Sequence, residues 1–147
     1  MIITEFLLGE HGLFYTQFDH VEKTVAAAST LELVKSRVAL LQEALLTHAT
    51  LEDELLFSAL DPHLSQKGPL SVMRMEHDEI ENTLAKVQQS PNLAKAQKLA
   101  LHALQVAREH FAKEERVLFP LAHQTLDEKT LAQLGVQWAQ RRGVIIR

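Results

Sequence analysis

Three times in this 147-residue chain a histidine is followed four residues later by a glutamate: His48 and Glu52, His77 and Glu81, His110 and Glu114. A fourth histidine, His11, stands without such a partner. Imidazole nitrogens and carboxylate oxygens, with no thiolate among them, suit Fe, Mn or Zn. On a helix, residues four apart lie about 40° apart around the axis and about 6 Å apart along it. Each pair can therefore present a nitrogen and an oxygen to one region, and one metal ion or two adjacent ions can use that geometry. A single pair of this kind on an exposed helix is an ordinary surface contact worth a few tenths of a kcal/mol. The positions of these residues on the elements that carry them decide between the two.

Apolar residues recur every three or four positions through four long segments, which predicts four helices. The first runs from about Thr4 to Ala28 along Leu7, Phe14, Phe18, Val21 and Val25, and Ser29-Thr30 offers an N-cap for the second. The second covers about Leu31 to Ala59 along Val34, Val38, Leu41, Leu45 and Leu55. Asp61 to Pro69 is a loop by its Pro and Gly content. The third helix covers Leu70 to Gln88, and Ser90-Pro91 then reads as the N-cap and first residue of a fourth that reaches Phe119. Pro120 is expected to end or kink it. A shorter amphipathic helix follows, capped by Asp127 and carrying Leu131, Leu134 and Trp138. Long helices on short links pack as antiparallel neighbours. The expected fold is all-α: a single-domain, up-down-up-down four-helix bundle with a short C-terminal fifth helix.

The apolar stripes are interrupted by the residues that could bind metal. His11 falls between Leu7 and Phe14, His48 and Glu52 between Leu45 and Leu55, His77 and Glu81 beside Ile80, and His110 and Glu114 between Ala107 and Leu118. Burying such groups singly costs several kcal/mol each unless they are paired or bound to metal. Turns near residues 29–30 and in the 60–68 loop put His11, His48 and His77 at similar heights, whereas levelling His77 with His110 needs a turn near residue 93. The other histidines, His20, His63, His102 and His123, fall off the stripes or in loops and read as solvated. So do Asp53 and Glu54, while Glu10 and Glu115 point away from the site. Glu115, five residues after His110, would need a locally unwound helix to coordinate. Tyr15 either packs at the core edge or brings its hydroxyl near the metal; Trp138 is expected to seal the fifth helix onto the bundle.

Composition narrows the classes further. The net charge of −4 offers nothing to nucleic acid or an anionic membrane. There is no cysteine, which removes disulfides, thiolate metal sites and cysteine nucleophiles. The first residues lack a secretory pattern, and no apolar run is long enough to span a membrane, so a cytoplasmic location is expected.

These motifs, Glu10-His11, HATLE from His48, HDEIE from His77 and HFAKEERVLFP from His110, resemble the hemerythrin-like family, the HHE cation-binding domain, over nearly the whole chain. The resemblance implies a non-haem di-iron centre, oxo- or hydroxo-bridged, with Glu52 and Glu114 between the metals and His11, His48, His77 and His110 as terminal ligands; Zn or Mn are alternatives. Its partner would be a small diatomic ligand or peroxide. Oxygen-carrying members have a second histidine where this chain has Glu81, and HxxxxD where it has HxxxE, so reversible oxygen transport is not expected. Glu81 is expected either to replace that histidine as a ligand or to hydrogen-bond one. The functions implied are binding or sensing of O₂ or nitric oxide, or iron buffering. The alternatives are a di-iron enzyme acting on peroxide or nitric oxide, an iron donor for iron–sulfur repair, and a redox-inert zinc bundle.

Overall fold

The structure of the protein, a computed structural model, describes residues 1–146. Four long helices, α1 (Ile3–Ala27), α2 (Leu31–Leu51), α4 (Pro69–Gln88) and α5 (Leu93–Lys113), form the bundle. α1 packs on α2, α2 on α4, α4 on α5 and α5 back on α1, which closes the ring. The short α3 (Ser58–Leu60) and a 3₁₀ turn (Asp61–His63) lead out of the second helix. α6 (Phe119–Thr125) extends the fourth, and α7 (Glu128–Arg142) packs along α1 as the fifth helix. Among the described residues there is no strand, and no helix is long and apolar enough to cross a membrane.

Local chemistry sets the boundaries. The Thr30 hydroxyl accepts from the Leu33 N–H and the Asp127 carboxylate from the Thr130 N–H, so each satisfies an orphan donor at its helix start. The cap of α5 is a correction to the sequence reading. Asn92, not Ser90, accepts from the Lys95 N–H at 2.9 Å, and Ser90 is buried with its hydroxyl donating to the Lys86 carbonyl. Pro120 does not end the fourth helical segment. It is the second residue of α6, directly behind the π-helical stretch, and the chain stays helical to Thr125.

Neither the second nor the fourth segment is uniformly α-helical. Each passes through a π-helical stretch, π1 (Glu52–Phe57) after α2 and π2 (Glu114–Leu118) after α5. The wider turn shifts the phase of the helix behind it. This is how Leu55, Leu56 and Phe57, three consecutive residues, are all buried, which an α-helix on the bundle surface would not allow.

The core is split in two. One apolar cluster gathers Leu7, Leu51, Leu56, Phe57, Leu118 and Trp138, and the other Phe14, Phe18, Val38, Leu45, Leu84 and Phe111. His11, His48, Glu52, His110 and Glu114 are buried at or beside the points where one set gives way to the other along the helices, and their side chains gather into a polar layer.

Candidate metal centre

Ligand atoms of His11, His48, Glu52 and Glu114 lie within 4.8 Å of one another, and so do those of Glu52, His77, His110 and Glu114. Glu52 and Glu114 are common to both groups. The Nε2 atoms of His48 and His77 stand 3.7 and 3.3 Å from Oε2 of Glu52. The Nε2 atoms of His11 and His110 stand 3.7 and 2.9 Å from Oε1 of Glu114. Two carboxylates thus sit at the centre, each flanked by two imidazoles through the same ring nitrogen.

The other ring nitrogens are met from outside by a second set of carboxylates. Nδ1 of His48 faces Glu10 at 2.9 Å and Nδ1 of His110 faces Glu76 at 3.2 Å. Nδ1 of His77 faces Asp53 at 3.4 Å, and Nδ1 of His11 faces Glu115 at 3.8 Å. Each of these acids adjoins a central residue in the chain, yet serves the histidine of the neighbouring helix. α1 supplies the partner for α2, π1 for α4, α4 for α5, and π2 for α1. At His48 and His110 the hydrogen-bonded carboxylate draws the ring proton to Nδ1 and turns the Nε2 lone pair toward the centre, the tautomer a metal ligand requires, whereas Nδ1 of His77 and of His11 lie in ion-pair range of their acids without a hydrogen bond.

This ring corrects the sequence reading. Glu10 and Glu115 do not point away, and Asp53 is half-buried against His77 rather than solvated. Glu76, which carries no sequence signal beyond adjoining His77, completes the ring. The unwinding that Glu115 needed is present as π2, and it delivers the acid to His11 Nδ1 and to the Tyr15 hydroxyl, which donates to it at 2.7 Å. Tyr15 follows the first of its two readings, with its ring edge-on to Phe111, and its hydroxyl meets the outer acid Glu115. Glu54 is exposed and pairs with Arg141. His20, His63, His102 and His123 are exposed, the last also bonded to the Thr4 hydroxyl at 2.8 Å. Trp138 is buried and stacks on Phe6 at 4.3 Å between ring centres.

Glu81 belongs to neither group. It is exposed on α4 and borders a cavity of about 40 Å³ whose wall includes His48, His77, His110, Ile80 and Phe111. By the space a water molecule needs, that volume admits a molecule of roughly two or three atoms.

The donor set fits a pair of cations on grounds internal to the fold. Both oxygens of Glu52 and of Glu114, and Nε2 of His11, His48 and His110, are buried without a hydrogen-bond partner among the described residues. Leaving one such group unsatisfied costs about 1–3 kcal/mol. Electrostatics agree. Burial, then the neighbouring Glu114, pushes the Glu52 carboxyl up to about 8. Burial pushes Glu114 up to about 7, against a lowering contact with Glu52. Burial and the nearby His48 and His110 hold His11 down at about 2. Burial disfavours a charged His77, but Asp53 and Glu52 outweigh it and raise the ring to about 10. Glu10 is likewise desolvated, yet its contacts with His48 and Arg142 hold it below the usual carboxylate range. Without cations, the central carboxylates carry protons near neutrality, and a metal ion would take the place of those protons.

The comparisons with known proteins agree with this geometry. The family model described as the hemerythrin HHE cation binding domain matches residues 2–129. Searches of the curated proteins and of the solved structures found no match. On the match across most of its length, this chain belongs to the hemerythrin HHE cation-binding domain family.

Proposed function

We propose that the domain holds two iron ions and uses them to bind or sense a small molecule such as O₂ or nitric oxide, or to hold iron in reserve. One observation carries this reading: two buried carboxylates shared between two groups of ligand atoms, with a histidine from every bundle helix aimed at them. His11 and His48 would hold one ion, His77 and His110 the other, and Glu52 and Glu114 both. Two imidazoles and two shared carboxylates would hold each ion, and iron there would supply small-ligand binding or one-electron chemistry. The chain's own part is to fix the tautomers, exclude water with Phe111, Phe14 and Phe57, and admit small ligands past Ile80 and Glu81.

The cavity beside His77 also favours a second reading, turnover of peroxide or nitric oxide, because it reaches three of the histidines and places the polar Glu81 side chain at its edge. Metal analysis and a visible spectrum of iron-loaded protein test the first reading. Two irons per chain with ferric absorption in air support it, and a colourless protein that selects zinc refutes it. Added peroxide or nitric oxide then separates turnover from binding.

A further inference from the structure

The four outer carboxylates are not held alike. Glu10 is the one anchored by an element that lies outside the bundle and almost wholly beyond the matched residues 2–129. Its Oε2 meets both Nδ1 of His48 and Nε1–H of Trp138, the latter at 3.3 Å, and its Oε1 pairs with the Arg142 guanidinium. Trp138 and Arg142 are one helical turn apart on α7, so they face the same way. The guanidinium also lies over the Trp138 ring, 5.9 Å from its centre.

The docking that makes this possible is close. Gly135 in α7 lies against the chain's first residues, where a Cβ would come within 2.5 Å of the Met1 carbonyl oxygen. Glycine here is required by the approach of two backbones. Trp138 stacks on Phe6, and Arg141 pairs with Glu54 of π1 at 2.7 Å. α7 therefore grips both the helix that carries Glu10 and the π-helical turn that begins at Glu52.

We infer that α7 is a clasp on the metal centre, in which Trp138 and Arg142 are positioning residues that act through Glu10 to orient His48 and so favour one of the two ions. This rests on the two-ion reading above. Trp138 donates an N–H and Arg142 a fixed cation to a carboxylate whose remaining hydrogen bond goes to the ligand histidine. Losing either frees Glu10 to rotate and leaves the His48 ring without a fixed tautomer. Such outer contacts are typically worth about 10- to 100-fold in metal affinity. The coupling is reciprocal, so metal binding must tighten α7 on the bundle.

Stepwise titration of the metal-free, full-length protein with cobalt(II), followed by its visible bands, tests this. The parent protein should take up two ions; uptake of one or none overturns the two-ion reading itself. With two ions bound by the parent, Arg142→Met should weaken one of them about 10- to 100-fold and leave the other within about threefold. Arg142→Lys should restore part of the loss. Trp138→Phe, which keeps the stack on Phe6 and drops the N–H, should weaken the same ion. In a His48→Ala background the Arg142→Met effect should vanish, as a double-mutant cycle requires for residues acting through one another. Equal weakening of both ions, no weakening of either, or an undiminished effect in the His48→Ala background would overturn the inference. Trp138 fluorescence in Arg142→Met reports whether α7 stays docked, and amide exchange in α7 should slow when cobalt binds.

Discussion

His110 Nε2 lies 2.9 Å from a carboxylate oxygen of Glu114, four residues later, and the helix changes from α to π at that glutamate. The i,i+4 pairing thus joins the last turn of the α-helix to the first residue of the wider turn. His48 and Glu52 show the same relation at the head of π1. In both places the next residue, Glu115 or Asp53, is carried round to meet a histidine on an adjacent helix. A π turn beside a functional site is a recurrent device, and here it lets two consecutive acids do different jobs.

Because Glu114 belongs to both groups of ligand atoms, its loss should affect both ions. Glu114→Gln is expected to weaken both by on the order of 100-fold or more, beyond what an outer contact is worth. His11→Ala should weaken one. Without metal, the Gln variant should melt no lower than the parent at pH 8, since the change removes a buried acid that burial holds near 7. Metal titration and thermal melts of the two variants check this; equal loss of both ions in His11→Ala would count against two groups sharing their carboxylates.

Metal should stabilise the fold by mass action. At a free concentration of 100 times Kd each ion contributes about 2.7 kcal/mol, which for a domain of this size raises Tm by roughly 5–10 °C per ion. Calorimetry with and without iron(II) under anaerobic conditions measures it, and an unchanged melt would exclude a bound pair.

The pH dependence should differ in sign between the two forms. Glu52, Glu114 and His77 hold their protons more tightly folded than unfolded, with values of about 8, 7 and 10. The metal-free folded chain thus binds more protons than the unfolded one above pH 6.5, and its stability falls as pH rises toward 8. His11, depressed to about 2, contributes stability above its ordinary value that is lost on acidification below about pH 6.5. Metal binding must displace the extra protons, so affinity rises over the same window. The gap in Tm between loaded and metal-free protein should widen from pH 6.5 to 8, and a constant or shrinking gap would contradict the protonation scheme.

The four helices and the six central residues were legible because both signals are periodic. Apolar residues at helical spacing mark the buried face, and a histidine or glutamate on that face stands out against it. The outer ring was not legible from one chain, because its members sit off the stripes. Glu10 and Glu76 adjoin a histidine in sequence but serve the histidine of another helix, and which helix neighbours which is a matter of packing. Asp53 reads as solvated and Glu115 as pointing away because an ideal α-helix turns them outward; the π turns, which no local residue pattern announces, turn them back. The Ser90-Pro91 pattern points to a start two residues before the true cap, Asn92.

Glu81 is exposed at the cavity edge and stands outside both groups, so its contribution should appear in ligand access. Glu81→Ala is expected to leave two ions bound. The loss of a negative charge at the entrance should raise azide affinity by roughly two- to fivefold at low salt, and less at high salt. Loss of an ion in Glu81→Ala would instead make Glu81 a ligand.

Tyr15 offers the most selective probe of the outer ring. Its hydroxyl donates to Glu115 at 2.7 Å, and Glu115 lies 3.8 Å from Nδ1 of His11. Burial, then that carboxylate, pushes the phenol well above its ordinary range, so it stays a donor at every physiological pH. Tyr15→Phe keeps the edge-on ring contact with Phe111 and removes the hydrogen bond alone. The expected cost is about 0.5–1.5 kcal/mol of stability, with two ions still bound. Glu115 is then free to turn to solvent, and the ion held by His11 should exchange faster than the one held by His110. Competition with a chelator, followed as two phases of metal release, reads both rates in one experiment. If Tyr15→Phe accelerates the two phases equally, or neither, the Glu115 link to His11 carries no weight at the metal.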